Sequence, residues 1–87
     1  MKVHLGSILF SYTNQQSVVE VLGKNLAEVF DHLDQQFPGL KFRVVDERNE
    51  VRPHIKVFIQ DHWTRDLKEK LEGNEEIFIL GALSGGN

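Results

Sequence analysis

Eighty-seven residues, 40% apolar and 26% charged, suffice for one globular domain with a modest core and exclude a disordered chain. The lack of cysteine removes disulfides, thiol nucleophiles and thiolate zinc sites together, and fits a reducing cytoplasm. A net charge of -3 with scattered Lys and Arg offers no basic stripe to a phosphate backbone, so no nucleic-acid partner is expected.

The opening "MKVHLGSILFSY" carries one lysine, and His4, Gly6 and Ser7 interrupt its apolar residues. It reads as neither a signal peptide nor a membrane span, so a cytoplasmic protein with no membrane partner is expected. Residues 2–12 mix β-branched, aromatic and alternating apolar side chains and read as a first strand. "TNQQ" is a polar turn, and residues 17–22, "SVVEVL", read as a second strand returning antiparallel. The period then changes. Leu26, Val29, Phe30, Leu33 and Phe37 fall at helical spacing on one stripe. Asn25 is placed to cap this helix, with Glu28 three residues on, and Pro38-Gly39 ends it.

Residues 40–45, "LKFRVV", read as a third strand and residues 54–60 as a fourth. They are joined by "DERNEVRP", in which Asn49 is the natural left-handed turn residue. Residues 64–75 read as a short helical turn ending at Gly73-Asn74, and residues 76–80 as the last strand. The expected class is α+β, five strands with one main helix. One helix covers one face of such a sheet, yet the last two strands are apolar at both parities. Ile55, Val57 and Ile59 alternate with Lys56, Phe58 and Gln60, and Ile77 and Ile79 alternate with Phe78 and Leu80. One set meets the helix, which leaves Phe58, Phe78 and Leu80 on the open face. Scattered exposed apolar residues are ordinary, but clustering beside the C-terminal tail makes these three a candidate partner surface.

The chemistry-bearing residues do not assemble into a catalytic set. His4, His32, His54 and His62 share no short ligand spacing, so no metal site is expected. "GKN" at 23–25 lacks the upstream glycine and the Ser/Thr of a phosphate loop, and is better read as a helix entry. Asp46, Glu47 and Glu50 lie in a turn with Arg48 and Arg52, where a cleft able to shift a pKa is seldom found. Ser11 and Ser84 have no base beside them, and Trp63 reads as a loop anchor. The chain is not expected to be an enzyme by itself or to bind a cofactor.

What remains is the tail. A loop "LEGNEE" leads into the strand "IFIL", then "GALS", then Gly85-Gly86 and Asn87. This order resembles the ubiquitin-like sulfur carriers, meaning the small subunit of molybdopterin synthase and the thiamine-pathway carrier (the MoaD/ThiS family). In that family a Gly/Asp/Asn-rich turn with a glutamate precedes the last strand, and Gly-Gly follows at the offset seen from Glu76 to Gly85-Gly86. The helix, the hairpin "RVVDERNEVRPHIKVFI" and the tail have counterparts there in the same order. The resemblance implies a β-grasp fold, a mixed five-stranded sheet with one main helix on one face. Its first and last strands would run parallel at the sheet centre. Residues 1–80 would form the domain and residues 81–87 a flexible Gly-Gly tail. By position, Ile77 and Ile79 would face the helix, and Phe78 and Leu80 would face out.

The resemblance also implies a chemistry suited to a chain without catalysts. A ubiquitin-activating-type enzyme adenylates the C-terminal carboxylate of Gly86 with ATP. Sulfur then displaces AMP, and the thiocarboxylate goes to a sulfur-accepting biosynthetic enzyme. Ser84 and Gly85 belong to the tail that threads the activating site, where a missing Cβ permits close approach. The six residues Gly81 to Gly86 span at most about 20 Å at ~3.3–3.6 Å each. Asn87 departs from the family's Gly-Gly end. Some relatives carry extra residues that a metallopeptidase removes, which would account for it. A residue foreign to the natural chain, or a member that has lost the activity, are the alternatives. Joining of Gly86 to a lysine of a target protein, or a non-covalent β-grasp binding module, are the competing functions.

Residues 81–87 hold three glycines, and Leu83 is the only large apolar side chain. That is too little to offset roughly 1–2 kcal/mol of backbone ordering per residue. NMR order parameters below about 0.6 are expected from Ala82 onward, against ~0.85 in the preceding strand. A tail as rigid as the strand would remove the physical basis of the carrier reading.

Overall fold

Asn25 opens the one long helix, α1 (Leu26–Gln36), by accepting from the Glu28 amide at 2.9 Å. The Glu28 carboxylate reaches back to the Lys24 amide at 2.9 Å, so two donors at the helix entry are satisfied locally. The next two amides are satisfied at long range. Leu26 donates to the Glu69 carbonyl and Ala27 to the Leu67 carbonyl, at 3.1 and 2.9 Å. Leu26, Val29, Phe30 and Leu33 are buried as one stripe, which is the expected helical spacing.

The computed structural model describes residues 1–81. Its strands are β1 (Lys2–Leu5), β2 (Val18–Glu20), β3 (Ile55–Ile59), β4 (His62–Thr64) and β5 (Glu76–Gly81). They form one mixed sheet in the order β2-β1-β5-β3-β4. β1 and β5 run parallel at the centre, with Val3 opposite Ile77, and the other neighbours are antiparallel. The β-grasp expectation holds: five strands, a mixed sheet and one main helix. Val3, Leu9, Val57, Ile77 and Ile79 are fully buried in one core with the α1 stripe.

Several expected elements differ. The first strand stops at Leu5: the Gly6 amide still reaches the Ile79 carbonyl at 2.8 Å, but the Gly6 carbonyl accepts from the Leu9 amide at 3.0 Å and the chain enters a 3₁₀ turn, Ser7–Leu9. The second strand is shorter than residues 17–22. Residues 40–45 are not a strand: Leu40–Val44 is a short helix, α2. Gly39 precedes it at φ 95°, and the Asp34 carboxylate accepts from the Gly39 and Lys41 amides at 3.1 and 3.0 Å. That turn reverses the chain too tightly for an extended exit. Leu40 and Val44 then bury four residues apart while Phe42 is exposed. Asn49 does take the left-handed conformation, at φ 60°.

The strand at Ile55–Ile59 lies within the expected residues 54–60, but β4 was not anticipated, and Trp63 sits in it rather than anchoring a loop. Residues 64–75 hold no helical turn. Their backbone instead serves α1, as the Leu67 and Glu69 carbonyls show, and Leu71 donates to the Lys24 carbonyl at 2.9 Å. β5 continues through Gly81, one residue into what the sequence assigns to the tail. The rest of the expected flexible tail lies outside the described residues.

Side-chain parity in β5 gives a direct test. Ile79 is fully buried, whereas Leu80 is 39% exposed. Ile79→Ala is expected to cost about 2–5 kcal/mol, and Leu80→Ala within roughly 0.5 kcal/mol of nothing, by urea denaturation. Equal costs would mean that the two faces are assigned wrongly.

Candidate functional site

The alternation that buries Ile77 and Ile79 turns Phe78 and Leu80 to the opposite, open face of the sheet. Phe58 on β3 is the direct cross-strand partner of Phe78. The row extends further than the sequence indicated. Val18, His4, Phe78, Phe58 and Trp63 are successive cross-strand partners over all five strands. At about 4.8 Å per strand the row is roughly 19 Å long.

The row is held in place. The His4 ring stacks on Phe78 with centroids 4.4 Å apart and planes 11° from parallel. Its Nε2 meets Glu76 Oε1 at 2.7 Å, which fixes the ring's tilt. At the other end the Lys56 ammonium lies 5.3 Å from the centre of the Trp63 ring. Lys56 also faces Leu80 across the strands. Trp63 is 51% exposed, so a large aromatic surface lies open at the sheet edge. Cross-strand aromatic contacts of this kind stabilise a sheet, but packing alone does not require so much of it in water.

Phe58, Phe78 and Leu80 are therefore brought together with Lys56 beside them. His4, Val18 and Trp63 were missed as members of the surface. Joining His4 to Phe78 requires the parallel pairing of the first and last strands, which no local pattern announces. Trp63 lies in a three-residue strand, too short to show alternation.

The strand that carries Phe78 and Leu80 also leads to the tail. Gly81 is its last residue and lies opposite Ile55. A Cβ at Gly81 would fall 2.7 Å from Ile8 Cγ2 and 3.1 Å from Ile8 Cβ. Close packing by the 3₁₀ turn thus favours glycine here, independently of any need for motion. Gly6, Ser7, Ile8, Leu80 and Gly81 line a cavity of about 490 Å³ at this point. Ser84, Gly85, Gly86 and Asn87 lie outside the described residues.

Asp46, Glu75, His32 and His62 serve local structure. Asp46 accepts from the Glu50 and Arg48 amides at 3.1 and 2.9 Å. The Glu50 bond, foremost, holds its carboxyl below the ordinary range, with Arg48 and Arg52 charges adding to the effect. For Glu75, burial pushes the carboxyl up, but the Glu72 and Gly73 amides pull it down further, and the net shift is downward. This ties the loop that leads into β5. His32 meets the Leu22 carbonyl at 2.5 Å, and His62 meets Glu69 at 3.2 Å. Among the described residues no three His, Cys, Asp or Glu side chains gather as metal ligands would. No helix among them is long and apolar enough to cross a membrane.

By sequence the chain matches no protein-family model and no curated relative. Its structure is similar to a chain of the Amycolatopsis orientalis BexX/CysO complex, at 26% identity and a TM-score of 0.89, covering 98% of each chain. It is similar to small archaeal modifier protein 1 of Methanosarcina acetivorans, at 26% identity and a TM-score of 0.80, covering 98% of this chain and 94% of that one. Mycobacterium tuberculosis CysO shares the fold at 21% identity and a TM-score of 0.88, over 94% of this chain and 98% of that one. The chain thus has the ubiquitin-like, MoaD/ThiS-type β-grasp fold of these neighbours.

Gly81→Ala is expected to cost about 1–3 kcal/mol through overpacking against Ile8. Because the two sites touch, Ile8→Ala in the same chain should recover part of that loss, seen as coupling in a double-mutant cycle. Strict additivity would mean that Ile8 does not impose the glycine.

Proposed function

We propose that this chain is a ubiquitin-like sulfur carrier, a co-substrate that partner enzymes charge at Gly86. The observation that carries the reading is that part of the exposed apolar row and the point from which the tail starts belong to one strand. Phe78 and Leu80 project from β5 immediately before Gly81, and the Gly85-Gly86 pair follows within five residues. A partner that grips the open face therefore receives the tail at a fixed point. The whole-length similarity to a chain of the BexX/CysO complex supports a carrier that works against another protein.

In the proposed reaction, an oxygen of the Gly86 carboxylate attacks the α-phosphorus of ATP in the activating enzyme, and pyrophosphate leaves. A hydrosulfide ion, supplied by the partner, then attacks the acyl carbon and gives up its proton. The C–O bond to phosphate breaks, AMP departs with the electron pair, and a thiocarboxylate remains. The carrier supplies the carboxylate and the docking surface, while the enzyme supplies ATP and the stabilisation of charge. Use of ATP fits a cytoplasmic setting. A chain still carrying Asn87 has an amide at the Gly86 carbonyl, so a metallopeptidase that removes Asn87 would precede activation.

A second reading is favoured by the similarity to small archaeal modifier protein 1. The same activated Gly86 would then be joined to a lysine of a target protein. Both readings require the same adenylation.

The test compares AMP formation by the cognate activating enzyme on forms ending at Asn87 and at Gly86. Only the shorter form is expected to react. Phe78→Asp in that form should weaken docking by about 2–4 kcal/mol, the range of interface hot spots. Equal activity of the two lengths would contradict Gly86 as the reactive end, and undiminished activation of Phe78→Asp would remove the open face from docking.

A further inference from the structure

A second feature is distinct from the aromatic row. Tyr12, Gly39, Phe42, Arg43, Arg52 and His54 line a depression of about 260 Å³. No Asp or Glu lies among these residues, although the chain as a whole carries a charge of -3. Arg52 is fixed from two sides. Its Nε donates to the Phe42 carbonyl at 2.8 Å, and its guanidinium lies 4.6 Å from the centre of the Phe42 ring. Stacking and one bond thus orient the guanidinium and leave its terminal nitrogens for another partner. Neither Arg43 nor Arg52 forms an ion pair among the described residues. The nearby Asp46 feels the Arg52 charge, but its carboxylate is occupied by the Arg48 and Glu50 amides. Phe42 itself is 59% exposed.

The depression is tied through His54 to the end of β5. His54 immediately precedes Ile55, and Ile55 opposes Gly81. We infer that Arg43, Arg52 and His54 form a carboxylate-binding site that takes an acidic segment of the protein receiving the tail. This deepens the carrier reading and rests on it for the partner's identity. A nucleotide is the poorer candidate, because the reacting end lies up to about 20 Å from Gly81 along an extended tail, whereas His54 stands next to the residue that opposes Gly81. Charge complementarity at the root, with apolar contact on the open face, brackets the strand from which the tail emerges and fixes its direction of approach.

The site can be read without the carrier reaction. The ¹⁵N-labelled full chain is titrated with a hexaglutamate peptide and, separately, with inorganic phosphate. Saturable shifts are expected at Phe42, Arg43, Arg52 and His54 with the peptide, weakened by added salt. Arg43→Gln should weaken the peptide by about fivefold or more, as loss of a charged hydrogen bond implies. Because Arg52 also holds the α2 backbone, Arg43→Gln is the decisive variant, and its unchanged urea midpoint shows that the fold is retained. Shifts spread evenly over all Lys and Arg, no saturation, or full binding by Arg43→Gln would overturn the site. Phosphate binding as tightly as the peptide would overturn the acidic segment as its occupant. Failure of the Gly86 form to yield AMP would instead sink the carrier reading and leave the titration untouched.

Discussion

The structure depends on β5 being the middle strand, paired parallel to β1 and antiparallel to β3. A central strand has no free edge, so its backbone groups are spent on the ladder and only its side chains can vary in role. Period-two alternation then divides those side chains. Ile77 and Ile79 go to the helix side, where they are wholly excluded from water, and Phe78 and Leu80 go to the other. A slip of one residue would exchange the two sets, putting two isoleucines in water and Phe78 against α1. The core therefore fixes the register that also sets the open face.

The same register places the chemistry. The strand emerges beyond Leu80 between the 3₁₀ turn, which packs Ile8 against Gly81, and β3, whose first residue opposes Gly81. The tail thus begins from a packed point, on the strand that carries the centre of the aromatic row. On the proposed carrier reading, the chain contributes to a partner's reaction through this arrangement. A partner that gripped the open face would take the end of the chain from a fixed starting point, Gly81, and complete its orientation itself.

The parts of this arrangement legible in the sequence are those written in a local period. The α1 stripe, the Asn25 cap and the alternation in the last two strands are of this kind. The resemblance in the tail added the parallel pairing of first and last strands, which no local pattern contains. Misreadings arose where turn geometry or distant contacts override composition. "LKFRVV" carries strand-like residues, yet the left-handed Gly39 and the Asp34 cap force a helical turn. The charged stretch at 64–75 has helical composition, but its carbonyls are taken by the first amides of α1, which lie some forty residues earlier in the chain. β4 follows a turn made without glycine, with Gln60 itself at φ 58°, so nothing in composition marked a hairpin there. His4 and Trp63 were lost as surface residues for the same reason: their neighbours are set by pairing across the sheet.

The central claim is that Gly86 carries sulfur, and its most direct test is intact-mass measurement of the chain recovered from its native cells. The account predicts a species ending at Gly86 that is heavier than the carboxylate form by the difference between sulfur and oxygen, and that reverts on hydrolysis. Finding only chains that retain Asn87, with neither a thiocarboxylate nor Gly-Gly branches on lysine, would contradict it.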